Sequence, residues 1–170
     1  MINQDVHIRR KKMRLKGYDY SQDNLYYVTI CTHCHENCFG MIRDCKMELN
    51  ECGQIADEQF KWMQKQYSYI KIPVWIIMPD HIHAIIEIDG GRVRSQPDPT
   101  EIPIKIKPLP ELIGAYKTTT SKKIHQSGLK HFRWQRSYHD HIIRNSTEYS
   151  RIYSYIEDNP MNFESEKPDM

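Results

Sequence analysis

A chain of 170 residues, 39% hydrophobic and 27% charged, is long enough for one domain with a modest core under a polar surface. A formal net charge of +2 says nothing by itself about nucleic acid, and the apolar run at 74–78 is far too short to cross a bilayer. Five cysteines without a paired framework fit a reducing cytoplasm, and the basic N-terminus has no apolar stretch behind it to make a secretion signal.

Residues 1–16 carry Arg9, Arg10, Lys11, Lys12, Arg14 and Lys16 against one acid, Asp5, with little apolar periodicity. They predict a flexible basic arm: either a solvated tail or a segment that binds phosphates without sequence preference. Residues 25–32 are aromatic and β-branched and predict the first strand. The stretch Cys31-Thr32-His33-Cys34-His35-Glu36-Asn37-Cys38 follows, with Cys45 and Cys52 beyond. Its C-x-x-C spacing beside histidine invites a zinc module, but no second compact ligand pair follows, and a polar loop with incidental thiols remains open.

A short hairpin is expected over 40–50. Asn50 then caps a helix over 51–67, with Ile55, Phe60, Trp62 and Met63 as an imperfect apolar stripe. Residues 69–78 predict a strand that Pro73 makes irregular or places at an edge. After the turn at Met78-Pro79-Asp80, residues 81–88 alternate. Ile82, Ala84, Ile86 and Ile88 share one face; His81, His83, Ile85 and Glu87 share the other. Two imidazoles side by side on one strand can reach one cation, although paired surface histidines are common without one.

Asp89-Gly90-Gly91 ends the strand, and the proline-rich stretch 92–108 predicts a mobile loop. A helix over 109–126 packs Leu112, Ile113, Tyr116 and Ile124, leaves Lys117, Lys122 and Lys123 outside, and stops at Ser127-Gly128. Residues 132–143 predict the last strand, with His139 and His141 on one face. Ser146 or Thr147 caps a final helix to 158, where Asn159-Pro160 ends it. In that helix Tyr149, Ile152, Tyr153 and Ile156 form the packing stripe, Tyr155 lies off its centre, and Asn159 follows Tyr155 by one turn. The element order predicts an α+β fold with helices covering one face of an antiparallel sheet.

Several stretches occur together and in order: Arg14-Leu15-Lys16-Gly17-Tyr18-Asp19-Tyr20, Tyr27-Val28-Thr29-Ile30-Cys31-Thr32, Met78-Pro79-Asp80-His81 with His83, Trp134-Gln135-Arg136-Ser137-Tyr138, and Tyr155-Ile156-Glu157-Asp158-Asn159-Pro160. In them the chain resembles the REP-associated tyrosine transposases, a branch of the single-tyrosine HUH transposases (His, hydrophobic, His), over most of its length. The resemblance implies a ferredoxin-like (RRM-like) sheet within a single domain over 17–165, plus a C-terminal helix carrying the nucleophile. It implies Tyr155 as that nucleophile, with His81, His83 and Asn159 holding a divalent metal, Mg²⁺ or Mn²⁺. The partner would be single-stranded hairpin DNA, nicked and rejoined through a 5′-phosphotyrosine; a catalytically silent hairpin-binding protein of the same fold is the alternative. His141 and Glu87 are candidates for a supporting role. Trp134, Arg136 and Arg144 are candidates for DNA contact, with the basic arm. No membrane partner is expected, and monomer and homodimer both remain open. Asp80 departs mildly from the resembling pattern, which more often has Asn in that turn.

Overall fold

The structure, a computed structural model, describes residues 17–91 and 105–161. The basic arm with Arg9, Arg10, Lys11 and Lys12, and residues 92–104 of the proline-rich loop, lie outside these. The elements are β1 (Asn24–Cys31), a 3-10 turn (His33–His35), β2 (Gly40–Arg43), β3 (Lys46–Leu49), α1 (Glu51–Gln66), β4 (Ile70–Ile77), β5 (His81–Ile88), α2 (Leu109–Gln126), β6 (His139–Ile143) and α3 (Ser146–Glu157). One antiparallel sheet runs in the order β4-β5-β1-β6, and β2 and β3 form a separate ribbon. Setting the ribbon aside, this is the βαββαβ order of a ferredoxin-like fold, with β5 and β1 as the neighbouring central strands.

Alternation along the central strands divides the molecule into two cores of unequal size. Tyr26, Val28 and Ile30 of β1 and Ile82, Ala84, Ile86 and Ile88 of β5 are at most 1% exposed and meet α1 and α2 in the larger one. Phe60 of α1 stacks on Tyr116 of α2 with ring centroids 4.3 Å apart, and the Tyr116 hydroxyl donates to the Ala56 carbonyl at 2.9 Å. That bond removes the cost of a buried phenol. The opposite face carries the smaller core: Val74, Ile85 and Ile143 from the sheet, covered by Ile152 and Ile156 of α3.

Asn50 caps α1 as expected, its side chain accepting from the Gly53 amide at 3.0 Å. The stripe on that helix is rotated from expectation. Cys52, Ala56, Phe60 and Met63 are buried, while Ile55 and Trp62 are only half-buried at its edge. Small residues at 52, 53 and 56 let the helix approach the ribbon and sheet closely, so large size did not mark the inner face. Pro73 coincides with a register shift in β4 between Lys71 and Val74.

Two further boundaries differ. The last strand begins at His139 rather than 132, because Lys117 Nζ takes the carbonyls of Gln135 and Ser137 (2.7 and 3.0 Å) and Phe132 turns into the larger core. Helix α3 is capped by Asn145, whose side chain accepts from the Glu148 amide at 2.8 Å, rather than by Ser146 or Thr147. Entry into the ribbon depends on Gly40, at φ +135°, where a Cβ would meet the Glu48 carbonyl oxygen. Gly40→Ala is expected to destabilise the protein by about 3 kcal/mol, read as a lowered midpoint in a urea melt.

Candidate metal and nucleophile site

The histidine face of β5 is shaped by its neighbour β1. Register places Thr29 opposite His83 and Cys31 opposite His81. The Tyr27 and Thr29 hydroxyls both lie on His83 Nδ1, at 2.8 and 2.9 Å. His83 is 6% exposed, and burial pushes its pKa down to about 3, with His81 adding to the fall and Asp80 opposing it. The imidazole is therefore neutral, the form that binds metals. Its other nitrogen is available to a cation when Nδ1–H donates to one of those hydroxyls.

His81 lies beside it, ring centroids 4.6 Å apart, with Nδ1 2.6 Å from Asp80 Oδ1. The second Asp80 oxygen lies 2.7 Å from His35 Nδ1. Burial works to raise the Asp80 pKa, but the hydrogen bonds from His81 and His35 outweigh it and hold the carboxyl below its ordinary range.

Helix α3 crosses this face. Ile152 and Ile156 point into the smaller core, which turns Tyr155 outward: it is 47% exposed, and its ring meets His83 edge-on at 5.5 Å between centroids. The helix is interrupted at Asp158 and helical geometry resumes at 159. Asn159 is 5% exposed, and its side chain makes no hydrogen bond among the described residues. Among the described residues no cluster of three His, Cys, Asp or Glu side chains could hold a metal ion. The set that the resemblance implies, His81 and His83 with the amide oxygen of Asn159, is a mixed nitrogen and oxygen set compatible with Mg²⁺ or Mn²⁺.

The other candidates lie elsewhere. His141 Nε2 is 2.7 Å from Glu148 Oε1, and the other Glu148 oxygen accepts from the Arg144 amide, so this pair ties β6 to the first turn of α3. Glu87 is at the far end of β5 from His81, beyond Ile85. It lines a cavity of about 470 Å³ with Arg144, Asn145 and Tyr149. Trp134 packs on Phe39 and Phe132 and donates to the Lys117 carbonyl at 3.1 Å, which accounts for its position without a base; Arg136 is exposed. The segment from Cys31 to Cys38 does not gather into a ligand set. Cys31 is buried in β1 and Cys34 is exposed, its sulfur 3.4 Å from His33 Nε2.

A basic groove of about 810 Å³ runs along α2, lined by Lys117, Lys122, His125, Lys130 and Trp134. It adjoins the His81 end of the sheet. Trp134 bridges to Thr32, and the Gln135 amide donates to the carbonyl of Cys31, whose partner across the ladder is His81.

Local pattern missed three groups that surround the histidines: Tyr27, Thr29 and His35. The first two alternate on one face of β1, a signal that becomes informative only once β1 is known to pair with β5. No helix among the described residues is long and apolar enough to cross a membrane.

No family model matches the chain. A protein of Haemophilus influenzae described only as uncharacterised is 30% identical over 172 residues, covering 97% of this chain and 95% of its own. Among solved structures, a REP-associated tyrosine transposase bound to a REP hairpin superposes with a TM-score of 0.60 at 17% identity, covering 88% of this chain and 73% of that one. The chain thus belongs to one family with the Haemophilus influenzae protein, and its fold is that of a REP-associated tyrosine transposase.

Proposed function

We propose that this protein is a metal-dependent transposase that nicks and rejoins single-stranded DNA at hairpin-associated sites through a 5′-phosphotyrosine. The observation that carries this reading is the approach of an exposed phenol, Tyr155, to the buried, neutral imidazole of His83 beside His81. The fold shared with a transposase bound to a REP hairpin supports it.

Each residue has a distinct task. His81, His83 and Asn159 would hold the divalent cation, which when bound supplies a Lewis acid for the phosphate oxygens. Tyr155 Oη forms the new bond to phosphorus as the bond to the leaving 3′-oxygen breaks; the phenolic proton is lost to solvent, and the departing oxygen ends as a 3′-hydroxyl. The number of phosphoester bonds is unchanged, so attack by a 3′-hydroxyl on the tyrosyl phosphate reverses the step without ATP. Hydrogen bonds with Tyr27 and Thr29 orient the His83 ring, which meets Tyr155 edge-on.

The groove along α2 offers a path for the DNA backbone: it is lined by lysines, and Trp134 on its wall bridges to Thr32, next to the residue that pairs with His81. Lys122→Glu with Lys130→Glu is expected to weaken hairpin binding at least about tenfold and to lower the slope of log affinity against log salt by about two, in gel-shift titrations at several salt concentrations.

Incubation with end-labelled single-stranded hairpin DNA and Mn²⁺, followed by a denaturing gel, tests the proposal. A covalent protein–DNA band that a chelator abolishes is the expected result. DNA retarded in a native gel without any covalent band, across a hairpin library, would instead identify a binding protein that does not cut.

A further inference from the structure

We propose that Asp80 is a positioning residue that fixes the tautomer of His81, and that His35 holds Asp80 in that role. The proposal builds on the metal-site reading given above. The two carboxylate oxygens of Asp80 are divided between two rings: Oδ1 lies 2.6 Å from His81 Nδ1, and Oδ2 lies 2.7 Å from His35 Nδ1. An ionised carboxylate only accepts, so both Nδ1 atoms must carry the proton. A neutral His81 then has its lone pair on Nε2, and Nε2 is the nitrogen offered to a cation.

The contrast with His83 is informative. Its Nδ1 faces two hydroxyls, each able to donate or accept, and they do not choose a tautomer. Of the two imidazoles of β5, only His81 is committed by its partner. An amide in place of Asp80 could accept one of the two bonds through its oxygen but not both. Its nitrogen could only donate, to a ring of the opposite tautomer, so holding both rings in the Nδ1–H form requires the acid.

His35 reaches Asp80 from a strained segment. Cys34 and His35 have φ of 52° and 54°, a region that non-glycine residues seldom occupy. Hydrogen bonds to the turn before β5 keep that segment in place. The Thr32 amide and hydroxyl both donate to the Asp80 carbonyl, at 2.8 and 2.9 Å, and the Cys38 and Phe39 amides donate to the Pro79 carbonyl, at 2.9 and 3.1 Å. Thus the cysteine- and histidine-rich stretch that invites a zinc reading sends one member, His35, to the carboxylate behind His81. Because the stitching uses the carbonyl of Asp80, replacing the side chain leaves it intact.

The test uses the full chain, free of metal, with ¹⁵N-labelled histidine. Two-bond ¹H–¹⁵N correlation spectra report which ring nitrogen carries the proton. Wild type is expected to show His81 protonated on Nδ1. Asp80→Ala should move that proton to Nε2, and Asp80→Asn should keep it on Nδ1. Mn²⁺ titration followed by electron paramagnetic resonance is the second readout. There Asp80→Ala is expected to weaken binding about 10- to 100-fold, and His35→Ala by a smaller factor with the His81 tautomer unchanged. A wild-type His81 protonated on Nε2 would overturn the proposal, as would an Asp80→Ala variant with unaltered tautomer and Mn²⁺ affinity. Wild-type protein that takes up no Mn²⁺ would count against the proposed function, and the tautomer comparison would still decide the role of Asp80.

Discussion

Tyr155→Phe is expected to abolish covalent capture of DNA, with nicking reduced at least about 10³-fold and hairpin affinity and melting temperature unchanged. The substitution removes one oxygen from a side chain that is 47% exposed and leaves in place the ring that meets His83. No other phenol of α3 is well placed to substitute. Tyr149 and Tyr153 pack against the smaller core, their rings 5.8 Å apart. Tyr27 is close to His83, but burial raises its pKa more than the Thr29 hydrogen bond lowers it, and nearby Tyr155 adds to the rise. A phenol that resists ionisation and is hydrogen-bonded to the His83 ring is a poor nucleophile. Peptide mass spectrometry of the trapped adduct would locate the phosphotyrosine. An adduct of wild-type yield from Tyr155→Phe would sink the assignment.

Ile156→Ala should have the largest effect on stability at the site, about 3 kcal/mol, because it empties the centre of the smaller core. Ile156 is 0% exposed and packs with Ile152 against Val74, Ile85 and Ile143. Few other buried apolar groups hold α3 on the sheet. The loss should therefore appear first as undocking of α3 and only secondarily as global unfolding. Amide exchange in α3 is expected to accelerate roughly a hundredfold, more than in β1 and β5, whose inner faces belong to the larger core. Nicking should fall along with protection. Unchanged exchange in α3 would mean that something other than this apolar contact docks the helix.

Much of the fold was legible because it rests on local periodicity. The alternation in 81–88 assigns four residues to each face, and the structure buries Ile82, Ala84, Ile86 and Ile88 on one of them as expected. The Asn50 cap, the irregularity at Pro73 and the stop at Ser127-Gly128 are likewise set by nearby residues. What was not legible depends on partners distant in sequence. The last strand is short because Lys117, on another element, captures the carbonyls a ladder would need. His35 and Asp80 lie 45 residues apart, and Thr29 and His83 lie 54 apart. Such pairs follow from the β1–β5 register and from a loop with left-handed residues, neither of which a local pattern specifies.

The division into two cores also bears on what truncation would do. The larger core is complete by the end of α2 and the Phe132–Trp134 segment, apart from contributions by Tyr138 and Ile142, whereas the proposed nucleophile comes later, at Tyr155. On the proposed chemistry, a stop codon or frameshift between β6 and Tyr155 would not yield a weak enzyme. It would leave the basic groove and both histidines on a chain with no means of cutting. Such a product would occupy hairpins and shield them from the intact protein, so a loss-of-function allele of this kind would act as a dominant inhibitor.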